Sequence, residues 1–177
     1  MLEGKHVNLR RAEKDDVSLV AQRWSNSQYM GEYQDVMKLS KAKMEKVMLE
    51  QTIFFIIEKK DGTKIGHIGG WMYGKICMEI GFALVLGERG KGYGTEAIQM
   101  MVNYLFPEKD IVRIQAPTDT ENTPCQKALE KAGFTNEGTM RKSHCVRGEY
   151  RDMSLYSFLR DEWEILAETT ASGKQHY

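Results

Sequence analysis

A chain of 177 residues suits one domain with a sizeable core, and its 25 Lys and Arg against 25 Asp and Glu leave no formal net charge. The charges are interleaved, so no basic footprint for nucleic acid is expected. No apolar run approaches the ~20 residues that cross a bilayer, and Met1 to Arg11 is too polar for a signal peptide. Cys77, Cys125 and Cys145 form no CxxC pair, which argues against a disulfide framework. His6, His67, His144 and His176 lack metal-ligand spacing, so no metal is expected. A cytoplasmic location is the default.

In chain order, His6 to Arg10 alternates weakly as a first strand. Asp15 to about Tyr29 reads as a helix with Val17, Val20 and Trp24 on one face, and Ser40 to Gln51 as a second with a capping serine and a stripe of Met44, Val47 and Met48. Thr52 to Lys59 is β-branched and aromatic, and Asp61-Gly62 signals a hairpin turn into Lys64 to Met72. Ile76 to Leu86 is the next strand, with Ile76, Met78, Ile80, Phe82 and Leu84 on one face and Cys77, Glu79, Gly81, Ala83 and Val85 on the other. The segment Glu96 to Phe106 is an amphipathic helix, and Ile111 to Ala116 a short strand. Thr123 is predicted as the N-cap of a helix with Pro124 at N1, Gln126 completing a capping box and Gly133 closing it. Phe134 to Ser143 and Tyr150 to Phe158 close the chain as a hairpin around Arg147-Gly148. No repeat or linker interrupts residues 1–177, read as a single domain with a dispensable tail from about Glu168.

The stretch Arg89-Gly90-Lys91-Gly92-Tyr93-Gly94-Thr95 lies between a strand and a helix. Such a turn aims backbone N–H groups at a ligand from the positive end of the helix dipole, a setting for phosphate oxygens. Glycines adopt positive φ and let the backbone approach the ligand, while Arg89 and Lys91 add positive charge at the rim. A Walker loop is excluded: Tyr93 follows Gly92, and Val85 stands where the first glycine before Gly90-Lys91 belongs. Gly92-x-Gly94-x-x-Ala97 fits the permissive dinucleotide fingerprint, but the surrounding strand order does not suit it.

Arg89-x-x-Gly92-x-Gly94 resembles the pyrophosphate loop of the GCN5-related N-acetyltransferases (GNAT). Asn122-Thr123-Pro124-Cys125 and Leu129-Glu130-Lys131-Ala132-Gly133-Phe134 resemble that family's second signature. Gly148 to Asp152, Leu155-Tyr156-Ser157 and the opening Leu2 to Arg10 resemble its RimJ/RimL-like branch. The resemblance implies a mixed α/β fold, a twisted, mostly antiparallel, splayed sheet flanked by helices. It implies transfer of an acetyl group from acetyl-CoA to a primary amine by direct attack, with a peptide or protein N-terminus favoured. Alternatives are a small amine such as a polyamine or aminoglycoside, or a non-catalytic acyl-CoA-binding regulatory module. A homodimer stays open.

By the same resemblance, backbone groups around Phe82, Ala83 and Leu84 hold the pantetheine arm, and residues 89–95 (Arg89, Gly90, Lys91, Gly92, Tyr93, Gly94, Thr95) hold the pyrophosphate. Asn122 and Lys131 are further cofactor candidates, each with an ordinary alternative as turn residue and solvated lysine. Glu79 is a candidate general base, or else a carboxylate in a salt bridge. Cys125 stands where the branch has the serine that protonates the departing thiolate; its helix-end position predicts a lowered thiol pKa, with a small buried residue as the alternative. The tyrosine that some relatives use as acid is replaced by Leu129. Trp24, Tyr29, Tyr33 and Trp71 are candidates for the acceptor pocket or for the core.

Overall fold

The Asp61-Gly62 turn forms as its residues predict: Gly62 takes φ +82°, and the Asp61 carboxylate accepts the Thr63 N–H at 2.9 Å. It joins β3 (Ile53–Lys59) to β4 (Lys64–Met72), which pairs in turn with β5 (Cys77–Leu84). The computed structural model describes residues 1–172, and side chains to 169. Among them, β1 (Leu2–Glu3), β2 (Val7–Arg11), β6 (Arg113–Asp119), β7 (Thr135–Val146) and β8 (Glu149–Leu159) complete one sheet of order β1-β2-β3-β4-β5-β6-β8-β7. Every neighbouring pair is antiparallel except β5–β6. That is the splayed, mostly antiparallel α/β sheet expected, and it removes the dinucleotide alternative, which needs a parallel array.

The long helix predicted from Asp15 to Tyr29 is broken in two, α1 (Val17–Trp24) and α2 (Ser27–Met30). Asn26 is the cause: its side chain accepts the Gln28 and Tyr29 N–H groups, so it starts a new helix instead of continuing the old one. The segment predicted from Ser40 keeps its cap, with Ser40 Oγ accepting the Lys43 N–H. After α3 (Lys41–Lys46) it widens into a π-turn over Val47–Gln51, whose Val47 carbonyl accepts the Thr52 hydroxyl at 2.8 Å.

Helices cover both faces of the sheet, so β3 is buried on both sides. Phe54 and Ile56 meet Val17, Val20, Met44 and Met48 on the α1–α3 face. Phe55 and Ile57 join Met78, Ile80, Ile98 and Met101 under α4 (Tyr93–Glu108), and α5 (Thr123–Lys131) adds Leu129. Each fully buried side chain of this size contributes about 1.5–3 kcal/mol relative to exposure. The last helix, α6 (Arg160–Ser172), carries the chain beyond Glu168, so the described part of the predicted tail is helical and the rest lies outside the described residues. None of the described helices is long and apolar enough to cross a membrane.

One polar cluster ties the sheet to the start of α1. Asp16 is 1% exposed and accepts from Arg10 at 2.9 and 3.0 Å and from Lys64 at 2.7 Å. Burial alone pushes its carboxyl up, but the bonds from Arg10 and Lys64 outweigh it and hold the group down at about 2. An Asp whose folded pKa lies below its unfolded value of about 3.9 stabilises the fold above that value, and loses the contribution as pH falls toward 2. Asp16→Asn is therefore expected to cost about 2–4 kcal/mol at pH 7, with the gap to wild type closing in urea melts as pH approaches 2.

Candidate active site

The parallel ladder between β5 and β6 has three rungs, Cys77↔Arg113, Met78↔Ile114 and Glu79↔Gln115. Beyond Glu79 the strands part: β5 continues against β4 to Leu84, and β6 continues against β8 to Asp119. Backbone alternation decides what faces the gap. The Val85 N–H bonds Ile65 and the Tyr73 N–H bonds the Cys77 carbonyl, so odd residues turn to β4 and Ile80, Phe82 and Leu84 turn to the open side. Of the three arm-binding candidates, Phe82 faces the gap with both backbone groups. Ala83 faces β4, and its carbonyl accepts the Tyr29 hydroxyl at 3.2 Å. The Leu84 carbonyl is capped by Arg89 Nε at 2.9 Å.

The free edge leads to the glycine loop. Gly90 and Gly92 have φ of +75° and +87°, and a Cβ on either meets nothing within 4 Å, so their outer sides are open. Gly92 is the N-cap of α4 and offers no side-chain cap. The first N–H of α4 with an intrahelical acceptor is that of Glu96, which leaves Tyr93, Gly94 and Thr95 with orphan donors. A Cβ on Gly94 would lie 3.3 Å from the Phe82 ring, so glycine there lets the helix start press onto β5. The expected basic rim is built differently. Arg89 turns inward to the Leu84 and Tyr29 carbonyls, the latter at 2.7 Å, and Lys91 pairs with Glu88 at 2.9 Å. An unpaired strand edge running to an uncapped helix start fits the extended arm and diphosphate of CoA.

Glu79 stands at the last rung, half-buried, on the face away from α4. Its Oε2 accepts Gln115 Nε2 at 2.9 Å, and no other side-chain bond to it occurs among the described residues. Trp71 is its register partner on β4, and the indole reaches over Gly81, where a Cβ would sit 3.4 Å from the ring. Trp71 is 38% exposed, so it lines this face, whereas Trp24 packs beside the α1–α3 core.

Cys125 requires a correction. Asn122, not Thr123, is the N-cap of α5, and its side chain accepts the Cys125 N–H at 3.3 Å. Gln126 forms no capping box; its amide donates to the Asp119 and Thr120 carbonyls. Cys125 is therefore at N3, packed against the core, and burial pushes its thiol up, against a smaller opposing bond with Thr118. Burial thus shifts the thiol in the direction opposite to the one its helix-end position predicted. Gly133 does close the helix, with φ +101° and its N–H on Glu130. Lys131 is exposed in the last turn, and its carbonyl receives Gln99 of α4 at 3.3 Å.

Sequence reasoning missed a buried chain of bonds behind the site. Trp24 Nε1 donates to His67 Nε2 at 3.3 Å, so the proton of His67 sits on Nδ1, 2.8 Å from the Tyr29 hydroxyl, which donates to Ala83. Burial, with help from the Arg23 charge, pushes His67 down to about 3. The clue was a lone histidine in an apolar strand, Ile65 to Ile68. Also unforeseen, the Arg147 N–H bonds Asp35 at 2.9 Å and its guanidinium the Gly31 carbonyl at 3.0 Å, docking the β7–β8 tip on the loop after α2. Glu32, Val146, Arg147, Glu149 and Arg151 line a cavity of about 320 Å³ there.

The family model described as "Acetyltransferase (GNAT) domain" matches residues 6–135. The uncharacterized N-acetyltransferase p20 of Bacillus licheniformis is 28% identical over 171 residues, covering 90% of this chain and 96% of that protein. The crystal structure of a GNAT-family acetyltransferase from Bacillus anthracis superposes with a TM-score of 0.77 at 26% identity, over 91% of this chain and 99% of that one. RimL, a ribosomal alpha-N-protein acetyltransferase in complex with coenzyme A, shares the fold with a TM-score of 0.77 at 19% identity, over 90% and 97% of the two chains.

Because the outer side of Gly92 is open, Gly92→Ala should weaken CoA binding about tenfold by titration calorimetry while costing about 1–2 kcal/mol of stability. Lys91→Gln should change affinity less, since that ammonium is already paired with Glu88.

Proposed function

We propose an acceptor and a division of roles from one premise: the chain belongs to the GNAT acetyltransferase family and is an acetyl-CoA-dependent N-acetyltransferase. The acceptor is a peptide or protein N-terminus, acetylated in the cytoplasm by a single domain. Acetyl-CoA supplies the acetyl group as an activated thioester. The β5 edge at Phe82 and the Leu84 N–H orient the arm, the N–H groups of Gly90 to Thr95 hold the diphosphate, and Lys131 lies beside α4 as a further phosphate contact. Arg89 braces the loop, and Asn122 acts through α5, whose start it caps. Most of the acceleration comes from this positioning.

Glu79 takes the proton of the incoming amine, directly or through one water. The observation that carries this role is its place at the last β5–β6 rung, with one carboxylate oxygen bonded and the other without a bond among the described residues. The Cys125 thiol passes a proton to the departing CoA thiolate and is reprotonated from solvent; burial makes it a weaker acid, so the transfer suits a sulfur at least as basic. An N-terminal amine suits so modest a base: its pKa is about 8, against about 10.4 for lysine, so a fraction is already neutral at pH 7.

A polycationic small amine is the second reading. Glu32 and Glu149 line the cavity under the hairpin tip together with Arg147, held on the Gly31 carbonyl, and Arg151, paired with Asp119, Glu121 and Glu149, which leaves Glu32 as the carboxylate for an amine. Incubation with acetyl-CoA and a mixed pool of N-terminal peptides, polyamines and aminoglycosides, read by mass spectrometry, separates the two. Acetylated peptides are expected; acetylation confined to polyamines would replace the first reading with the second. Glu79→Gln should lower kcat about 100-fold with CoA affinity unchanged.

A further inference from the structure

We infer that Gln115 is a positioning residue for this reaction: it fixes Glu79 at the point where the strands part and keeps Arg113 away from it. The inference rests on the proposed role of Glu79 as base. Gln115 is its register partner on β6 and is 8% exposed. Its amide is oriented at both ends, with Nε2 donating to Glu79 at 2.9 Å and Oε1 accepting Arg113 Nε at 3.3 Å. Flipping the amide would set Nε2 against a cationic donor and Oε1 against a carboxylate, so one orientation is held.

Arg113 is held in turn. Its two terminal nitrogens grip Glu137 at 2.6 Å each, and Ser157 donates to the same carboxylate at 2.7 Å. Those bonds from Arg113 and Ser157 hold the Glu137 carboxyl down at about 2, so it stays ionised and neutralises the guanidinium. The chain of contacts crosses four strands, from β7 and β8 through β6 to β5, and delivers a neutral donor to Glu79. Cys77, two residues before Glu79 on β5, feels the charges of Arg113, Glu79 and Glu137 together, so these groups share one neighbourhood. A carboxylate in direct partnership with a guanidinium holds a proton poorly, which would spoil it as a base. A carboxamide at 115 bonds both groups and leaves the charge of Arg113 on Glu137. An apolar residue there would release Arg113 Nε and leave Glu79 without its fixed donor.

The experiment compares wild type, Glu79→Gln, Gln115→Leu and the double variant, with acetyl-CoA and an alanine-initiated hexapeptide at pH 7 and pH 9.5. Above the amine pKa of about 8 the acceptor is already neutral and the base is dispensable. Gln115→Leu is expected to lower kcat about tenfold at pH 7 with KM for acetyl-CoA within twofold. That deficit should shrink toward wild type at pH 9.5 and vanish in the Glu79→Gln background. A deficit equal at both pH values, or one that multiplies with Glu79→Gln, marks a merely structural role and overturns the inference. Full activity of Glu79→Gln at pH 7 overturns the base reading and the inference together, whereas loss in Glu79→Gln with none in Gln115→Leu overturns the inference alone. A crystal structure of Gln115→Leu tests it without any acceptor. Arg113 turned toward Glu79, or a displaced Glu79, is expected; both side chains unmoved would refute it.

Discussion

The candidate site in this chain depends on the parallel ladder between β5 and β6 ending after Glu79. A strand edge carries donors and acceptors that must find partners. Past that rung, among the described residues, the outer side of β5 is not paired with β6, and the Leu84 carbonyl is taken by Arg89. Had the ladder run on to Leu84, the sheet would be continuous and no extended ligand could add to it. The helix that crosses from β5 to β6 starts at the mouth of the gap, so the same divergence that frees the edge also aims the orphan donors of α4 at its end.

The divergence is flanked by two chains of side-chain hydrogen bonds. On one side, Trp24, His67 and Tyr29 pass a fixed set of hydrogen bonds to Ala83, and Arg89 ties the Tyr29 and Leu84 carbonyls together. On the other, Glu137, Arg113 and Gln115 lead to Glu79. A buried polar chain such as the first is stabilising only when its members are satisfied, and then it admits a single geometry. His67 remains neutral far below the usual imidazole range, so the first chain holds its arrangement across ordinary pH.

The strands and the glycine loop were legible because their signals are local: alternation in residues 77–84, the Asp61-Gly62 turn, and a Gly92 that can take φ of +87°. The helix break at Asn26 was legible in kind but outweighed by the apolar stripe on both sides of it. Other features were hidden for a different reason. Whether Arg89 points to phosphate or to protein, and whether Cys125 feels a helix end or the core, depends on residues far away in sequence, such as Tyr29 and Thr118. Gln115 looked like nothing in Ile114-Gln115-Ala116 because its meaning lies across the sheet, in Glu79 and Arg113. Residue type announces a glycine loop; the partners of a carboxylate appear only when strands are set side by side.

The docking of Arg147 on Asp35 and Gly31 has a consequence for how such an enzyme changes over time. The contact joins two segments 112 residues apart in sequence, the β7–β8 tip and the loop after α2. Neither contributes to the main core, so substitutions in them reshape this surface at little cost to folding. The donor half is woven into the sheet itself through Phe82 and Gly94, where almost any replacement is felt. Selection can thus vary one loop and one hairpin tip freely, while the segments woven into the sheet are inherited nearly unaltered.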